Sequence, residues 1–300
     1  MKKYIPLFVI VALLVQCSQS PKDDAGYMAA MKKWRENRME RLKSENGWLN
    51  LVGLLWLKPG TNSLGSDSSN QIVFPPKAPA KIGTIILKDS VIMLKPNKDT
   101  DITADTINAS RAKEIRLYTD ADKRPTRVRM GSLSFYIIKR GDRYAIRLRD
   151  LESPLLKELD SIPAYPVKPE WKIRAKLVPF DSSRTMEVST VIDTRETYTV
   201  PGKLVFSIQG KEYSLLPFLE GKGYFLVFAD STSAAETYGA GRFLSAPLVD
   251  STGYTILDFN KATNPPCAFT PYATCPMPPR ENILSVKIEA GEKDPHIYVH

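Results

Sequence analysis

Along the chain the spacing of apolar residues changes character several times, and each change predicts an element. Lys2 and Lys3 precede an apolar run from Tyr4 to Val15, interrupted only by Pro6, that stops at Gln16-Cys17. About 20 apolar residues are needed to cross a bilayer, so this run predicts a secretory signal over residues 1–16, not a spanning helix. A polar tether is expected next, over residues 17–26. Tyr27, Met31, Trp34, Met39 and Leu42 then recur at mostly helical spacing among charges, which predicts a helix from about Asp24 to Ser44, stopped near Asn46-Gly47. Its apolar face is expected to bury Trp34 and Leu42 against the domain that follows.

From Trp48 to Asp150 the pattern becomes short and alternating: QIVF, KIGTIIL, SVIML, KEIRLYT, TRVRM, LSFYIIKRG and RYAIRL. These runs are separated by turn chemistry such as KPGTNSLGSD, LKDS, KPNKD and KRGDR. The expectation is a mainly β chain: an N-terminal helix and an antiparallel sandwich over 27–150, then a second β-rich barrel or sandwich over 170–300. The stretch DLESPLLKELDSIPAYPVKP, with four prolines, is read as the connection, at 151–169. In the second region WKIRAKLVPF, TMEVSTVI, GKLVFSIQG, KEYSLLPFL, GYFLVFAD and GYTILDFN predict strands, and NILSVKIEAGEK a last one.

The residues LVQC before Ser18 resemble the lipobox of bacterial lipoproteins. The resemblance implies cleavage before Cys17 and a lipid on its thiol, hence an exported, lipid-anchored protein of the cell envelope, at the periplasmic or surface face of the outer membrane. Of the three cysteines, Cys267 and Cys275 are then left, in a compartment where disulfides persist. One bridge is the first reading; a free buried pair and a redox or metal role are the others. Formal charge is +9, and losing Lys2 and Lys3 leaves 9 − 2 = +7. The basic residues are scattered, as in KRPTRVRM and RGDRYAIRLRD, so they are read as solvated strand faces with some attraction to anionic lipid, and no nucleic-acid partner is expected.

Both histidines, His296 and His300, lie in the last five residues, which removes the usual general base of a Ser or Cys hydrolase. No EF-hand-like or HExxH spacing points to a metal, and no motif assigns a cofactor or an oligomeric state. The phrases LKPGTNSLGSDSSNQIVFP and KIGTIILKDSVIML are faintly similar to a forkhead-associated sandwich. In that family an arginine follows the early glycine, whereas here Gly65 is followed by Ser66-Asp67. The phrases GWLNLVGLLWLKPGTNSLGS, RLRDLES, FADSTSAAETYGAGRFL and LDFNKATNPPCAFTPYATCPMPPRENILSVKIEAGEK together resemble the bacterial family called domain of unknown function 1684, over nearly the whole mature chain. That resemblance implies no established reaction.

Candidate chemistry therefore rests on residue types. Asp258 and Asn260 flank Phe259 at a strand end, Asn264 precedes a proline, and six prolines from Pro265 to Pro279 stiffen the loop 264–282. Tyr238, Arg242, Asp258, Asn260, Asn264, Tyr272, Asn282 and Glu289 are the expected ligand-binding set. Arg242 would meet Asp258 or Glu289, as an anion clamp or a structural bridge. If the protein is catalytic, Asp258 or Glu289 supplies the acid or base, because histidine is missing. The alternative function is an envelope scaffold whose disulfide loop is purely a brace.

Overall fold

The computed structural model describes residues 21–105, 107–109 and 112–297. The signal segment, Cys17 and His300 lie outside them. Helix α1 runs Pro21–Lys43, starting on a proline whose missing N–H would be unpaired there in any case. It absorbs residues 21–26 of the expected tether. Met31 and Leu42 are buried, and Tyr27, Trp34, Arg35, Arg38 and Met39 lie half-buried on the same stripe, so its packed face is partly basic. Gly47 ends the turn after it: a Cβ there would sit 2.0 Å from the Leu42 carbonyl oxygen.

The first half is a sandwich, as its alternation predicts. Its strands are β1 Leu51–Trp56, β2 Gly60–Gly65, β3 Ile72–Val73, β4 Gly83–Lys88, β5 Val91–Pro96 and β6 Thr103–Ala104. There follow β7 Ile107–Asn108, β8 Ile115–Arg116, β9 Val128–Met130, β10 Leu133–Arg140 and β11 Arg143–Asp150. One sheet has the order β1-β11-β10-β9-β6-β7, the other β3-β2-β4-β5-β8. Phe135, Ile137, Ile146 and Leu148 from the first sheet share a core with Leu64, Ile85, Ile92 and Leu94 from the second. Strand β2 falls in KPGTNSLGSD, expected to be a turn. Its two inward positions are Leu64 and Asn62, and the Asn62 amide is paired with the backbone of Lys58, so a buried row here is half polar and carries no apolar alternation.

The second half holds β12 Lys172–Ser189, β13 Arg195–Ile208, β14 Lys211–Leu215, β15 Phe218–Glu220, β16 Gly223–Phe228, β17 Arg242–Pro247 and β18 Tyr254–Asp258. Sheets β14-β13-β12-β18 and β15-β16-β17 close on Leu204, Phe206, Leu226, Phe228, Leu244, Leu257 and Phe259. WKIRAKLVPF and TMEVSTVI prove to be one strand, β12, with an irregularity between Pro179 and Arg184. The expected last strand, 282–293, is not one. Leu284, Ile288 and Ala290 are buried, yet the segment makes only isolated bridges: the carbonyls of Asn282, Val286 and Gly291 accept from the amides of Ala229, Ser231 and Tyr165, while those of Ile288 and Ala290 are taken by a side chain, Arg242.

The halves meet on the loop 264–282. Leu42 and Leu49 pack with Tyr238, Cys267, Phe269 and Cys275, and with Leu155, Leu156, Leu159 and Ile162 of the expected connection. Thr270 Oγ1 donates to the Leu51 carbonyl at 2.9 Å, and Arg140 Nε to Thr274 at 3.1 Å. Leu42 thus packs mainly on the C-terminal half, not on the sandwich that follows it in sequence. Residues 151–169, read as the connection, include a short helix, α2 Leu155–Glu158, and pack into the seam through Leu155, Leu156, Leu159 and Ile162.

Candidate functional site

Strand β17 begins at Arg242, which is fully buried. Its Nη2 lies 2.7 Å from Asp230 Oδ2 and 3.0 Å from the Ile288 carbonyl, while Nη1 donates to the Ala290 carbonyl. Asp230 Oδ1 accepts from the amide and hydroxyl of Thr232 and from the Ile288 amide. The partner is therefore Asp230, not Asp258 or Glu289 as expected. The expected anion clamp has no open face: the pair stands in for a missing strand neighbour. Asn282, also fully buried, is spent likewise, accepting from the Leu216 amide at 2.7 Å and donating to the carbonyls of Leu216 and Val227. The Asp230-Ser231-Thr232 turn was the readable signal for Arg242's partner.

Asp258 and Asn260 are brought together, but under α1. The Tyr27 hydroxyl donates to Asp258 Oδ1 at 2.7 Å, and Asn260 Nδ2 donates to that hydroxyl at 3.0 Å. Burial and the Asp258 acceptor hold Tyr27 well above the ordinary tyrosine range. Lys261 Nζ, 3.3 Å away, neutralises the other Asp258 oxygen. Glu289 and Tyr272 are exposed and apart from this network.

The remaining candidates lead to the seam. Asn264 donates its amide N–H to Glu292 Oε2 at 2.6 Å and its Nδ2 to the Lys293 carbonyl at 2.7 Å, while its Oδ1 is buried without a partner. Arg38 of α1 closes the ring, with Nε 3.0 Å from Glu292 Oε1 and Nη2 2.9 Å from the Asn264 carbonyl. Gly291, at φ +80°, permits this: a Cβ would stand 2.5 Å from the Ala262 carbonyl oxygen. Beside the ring, Arg35 Nη2 donates to the Tyr165 carbonyl at 2.8 Å, its charge penalised by burial. The Tyr165 hydroxyl in turn donates to Glu236; burial and that bond push Tyr165 up to about 12. Between α1 and residues 160–164 lies a cavity of about 320 Å³, walled by Arg35, Arg38, Met39, Asp160, Ile162 and Glu292.

Cys267 and Cys275 are both free and buried, so the expected bridge is not formed here. They are in contact, with the Cys267 amide 3.2 Å from Cys275 Sγ. A Cys275 thiol hydrogen bond pulls Cys267 down, whereas burial pushes Cys275 up. The structure thus contains the free pair, wedged against Tyr238 in the seam. Among the described residues no cluster of His, Cys, Asp and Glu is arranged to hold a metal.

Comparison with curated proteins gives no match. A solution structure of an uncharacterized protein from Haloarcula marismortui is 24% identical, with a TM-score of 0.40, covering 47% of this chain and 80% of that one. Residues 157–293 match the model of the family described as Protein of unknown function (DUF1684), a span that contains the loop 264–282 and Glu292 but not Arg35 or Arg38 of α1.

Proposed function

We propose that the protein binds a small ligand, an anionic group on an apolar body, in the cavity beneath α1, and that a lipidated Cys17 holds this site at the envelope membrane. The observation that carries the reading is the wall of that cavity, a space of about 320 Å³: the Arg35 guanidinium stands beside Met39 and Ile162, with Glu36 and Asp160 also in the wall and Glu292 already paired with Arg38. Pockets for small ligands are of this order, mostly apolar with a few placed polar groups. Among the described residues Arg35 makes one hydrogen bond, through Nη2, so its other N–H groups are available to a carboxylate or phosphate. This cavity is built from α1 and residues 160–164, with Glu292 as the C-terminal half's contribution, and none of the eight residues of the expected ligand-binding set lines it.

Native mass spectrometry of protein from an oxidising compartment tests the reading. Wild type is expected to carry extra mass that leaves on denaturation, and Ile162→Trp, which fills the cavity, to lack it. A bare mass for both proteins, or the same adduct on both, would overturn it. The scaffold reading is supported by the loop 264–282, whose Thr270 and Thr274 tie the halves together; a bare mass would favour it.

A further inference from the structure

A second concentration of charge lies beneath Trp48, on the first sheet of the sandwich. Strand register sets Arg147 opposite Tyr136 and Arg149 opposite Ser134, on the face of the sheet turned away from the sandwich core. Arg127, just before β9, stacks its guanidinium 5.2 Å from the Tyr136 ring centroid. Trp48 covers the group, 5.3 Å from Arg147 and 5.8 Å from Arg149. Arg147 is 5% exposed, Arg149 2% and Ser134 1%. These are the arginines of TRVRM and RYAIRLRD, expected to be solvated.

Their hydrogen bonds do not account for their charge. Arg149 Nη1 donates to the Gly47 carbonyl and to Asn50 Oδ1, and Arg147 Nη1 reaches the Tyr136 hydroxyl at 3.4 Å. Arg127 Nη1, Arg147 Nε, Arg149 Nε and Ser134 Oγ are buried with no partner. Among the described residues none of these guanidinium groups forms an ion pair, and Glu45, on the same side, is taken by Arg129. Removing a charge from water costs several kcal/mol unless it is paired, and here like charges are also pressed together. The field is felt by Tyr136: burial pushes its hydroxyl up, yet Arg147 and Arg149 outweigh burial and hold it below the ordinary value.

We propose that Arg127, Arg147 and Arg149, with Ser134 and Tyr136, form a binding site for a phosphate-like oxyanion, free or as the head group of a small phosphate ester. Planar guanidinium groups match such oxygens in pairs, and the unpaired N–H and hydroxyl groups are the donors the anion takes. Arg127 is half-buried, the most exposed of the three arginines, and so the member of the cluster nearest solvent.

The test is calorimetric titration and thermal unfolding of the whole mature chain with inorganic phosphate and with glycerol phosphate, against sodium chloride at equal ionic strength. Wild type is expected to melt higher in phosphate than in chloride, and Arg147→Gln to lose that increment while melting no lower than wild type in chloride. Losing one charged donor set should weaken phosphate about tenfold or more. Tighter binding of the ester than of phosphate would identify the head-group source, and the reverse order the free ion. Should Arg147→Gln unfold, Arg127→Gln replaces it, with the same loss of affinity expected. Equal melting in phosphate and chloride, or full affinity in the variant that folds, would overturn the proposal.

Discussion

Arg242 and the Arg147–Arg149 pair are both buried, but they are buried in opposite ways. Arg242 meets Asp230 at 2.7 Å and three backbone carbonyls of residues 288–292, and Asp230's other oxygen is filled by Thr232 and Ile288. Only its Nε is left over. Arg147 and Arg149 lie on a strand with Arg127 beside them and no carboxylate partner among the described residues. Burial of an arginine is thus no guide to its role; the presence of a counter-charge is. A compensated charge holds an irregular segment in place, whereas an uncompensated one is a demand for an anion from outside.

The largest effect is expected at Asp230. Asp230→Asn should cost about 3–5 kcal/mol, because it leaves the Arg242 charge buried and unpaired. Urea unfolding measures this, and a loss below about 1 kcal/mol would mean that the pair is not what fixes residues 282–293. Arg147→Met should go the other way: replacing an unpaired buried charge by an apolar side chain of similar length is expected to leave stability in chloride within about 1 kcal/mol or raise it. A loss as large as that of Asp230→Asn would erase the contrast.

The smallest effect expected is in the alkaline titration of Tyr136. A tyrosine held below its unfolded value stabilises the fold as pH rises through the folded pKa, and adds no more once the unfolded value near 10 is passed. Relative to Tyr136→Phe, wild type should therefore gain stability on approaching that range from neutral pH. Ultraviolet difference spectra should show one phenol ionising early, and Arg147→Gln should move it back up. A phenol that ionises late in wild type would contradict the field described.

What was legible in the sequence depended on whether a side chain's environment is local. Helix α1 and the sandwich strands with clean alternation were readable, because Leu42, Ile85 or Ile146 need only a face. Strand β2 was not, since Asn62 occupies a core position with its amide satisfied by Lys58. Arg242 was legible as a candidate, but its partner is Asp230, twelve residues earlier, and not the expected Asp258 or Glu289, although the Asp230-Ser231-Thr232 turn that holds it was readable. Arg147 and Arg149 alternate with Ile146 and Leu148, which places them on the outer face; that Trp48, about a hundred residues earlier, then covers this face is a matter of tertiary packing that no alternation reports. The cavity likewise joins Arg35 to Glu292 across the whole length, and no spacing rule reaches that far.

Anomalous diffraction from crystals equilibrated with selenate, in the place of phosphate, tests most directly whether the uncompensated arginine cluster takes an anion. A selenium peak within hydrogen-bond reach of Arg127, Arg147 and Arg149, and none at Arg242, is the result predicted. No peak at the cluster, with a carboxylate moved in against Arg147 or Arg149, would contradict it.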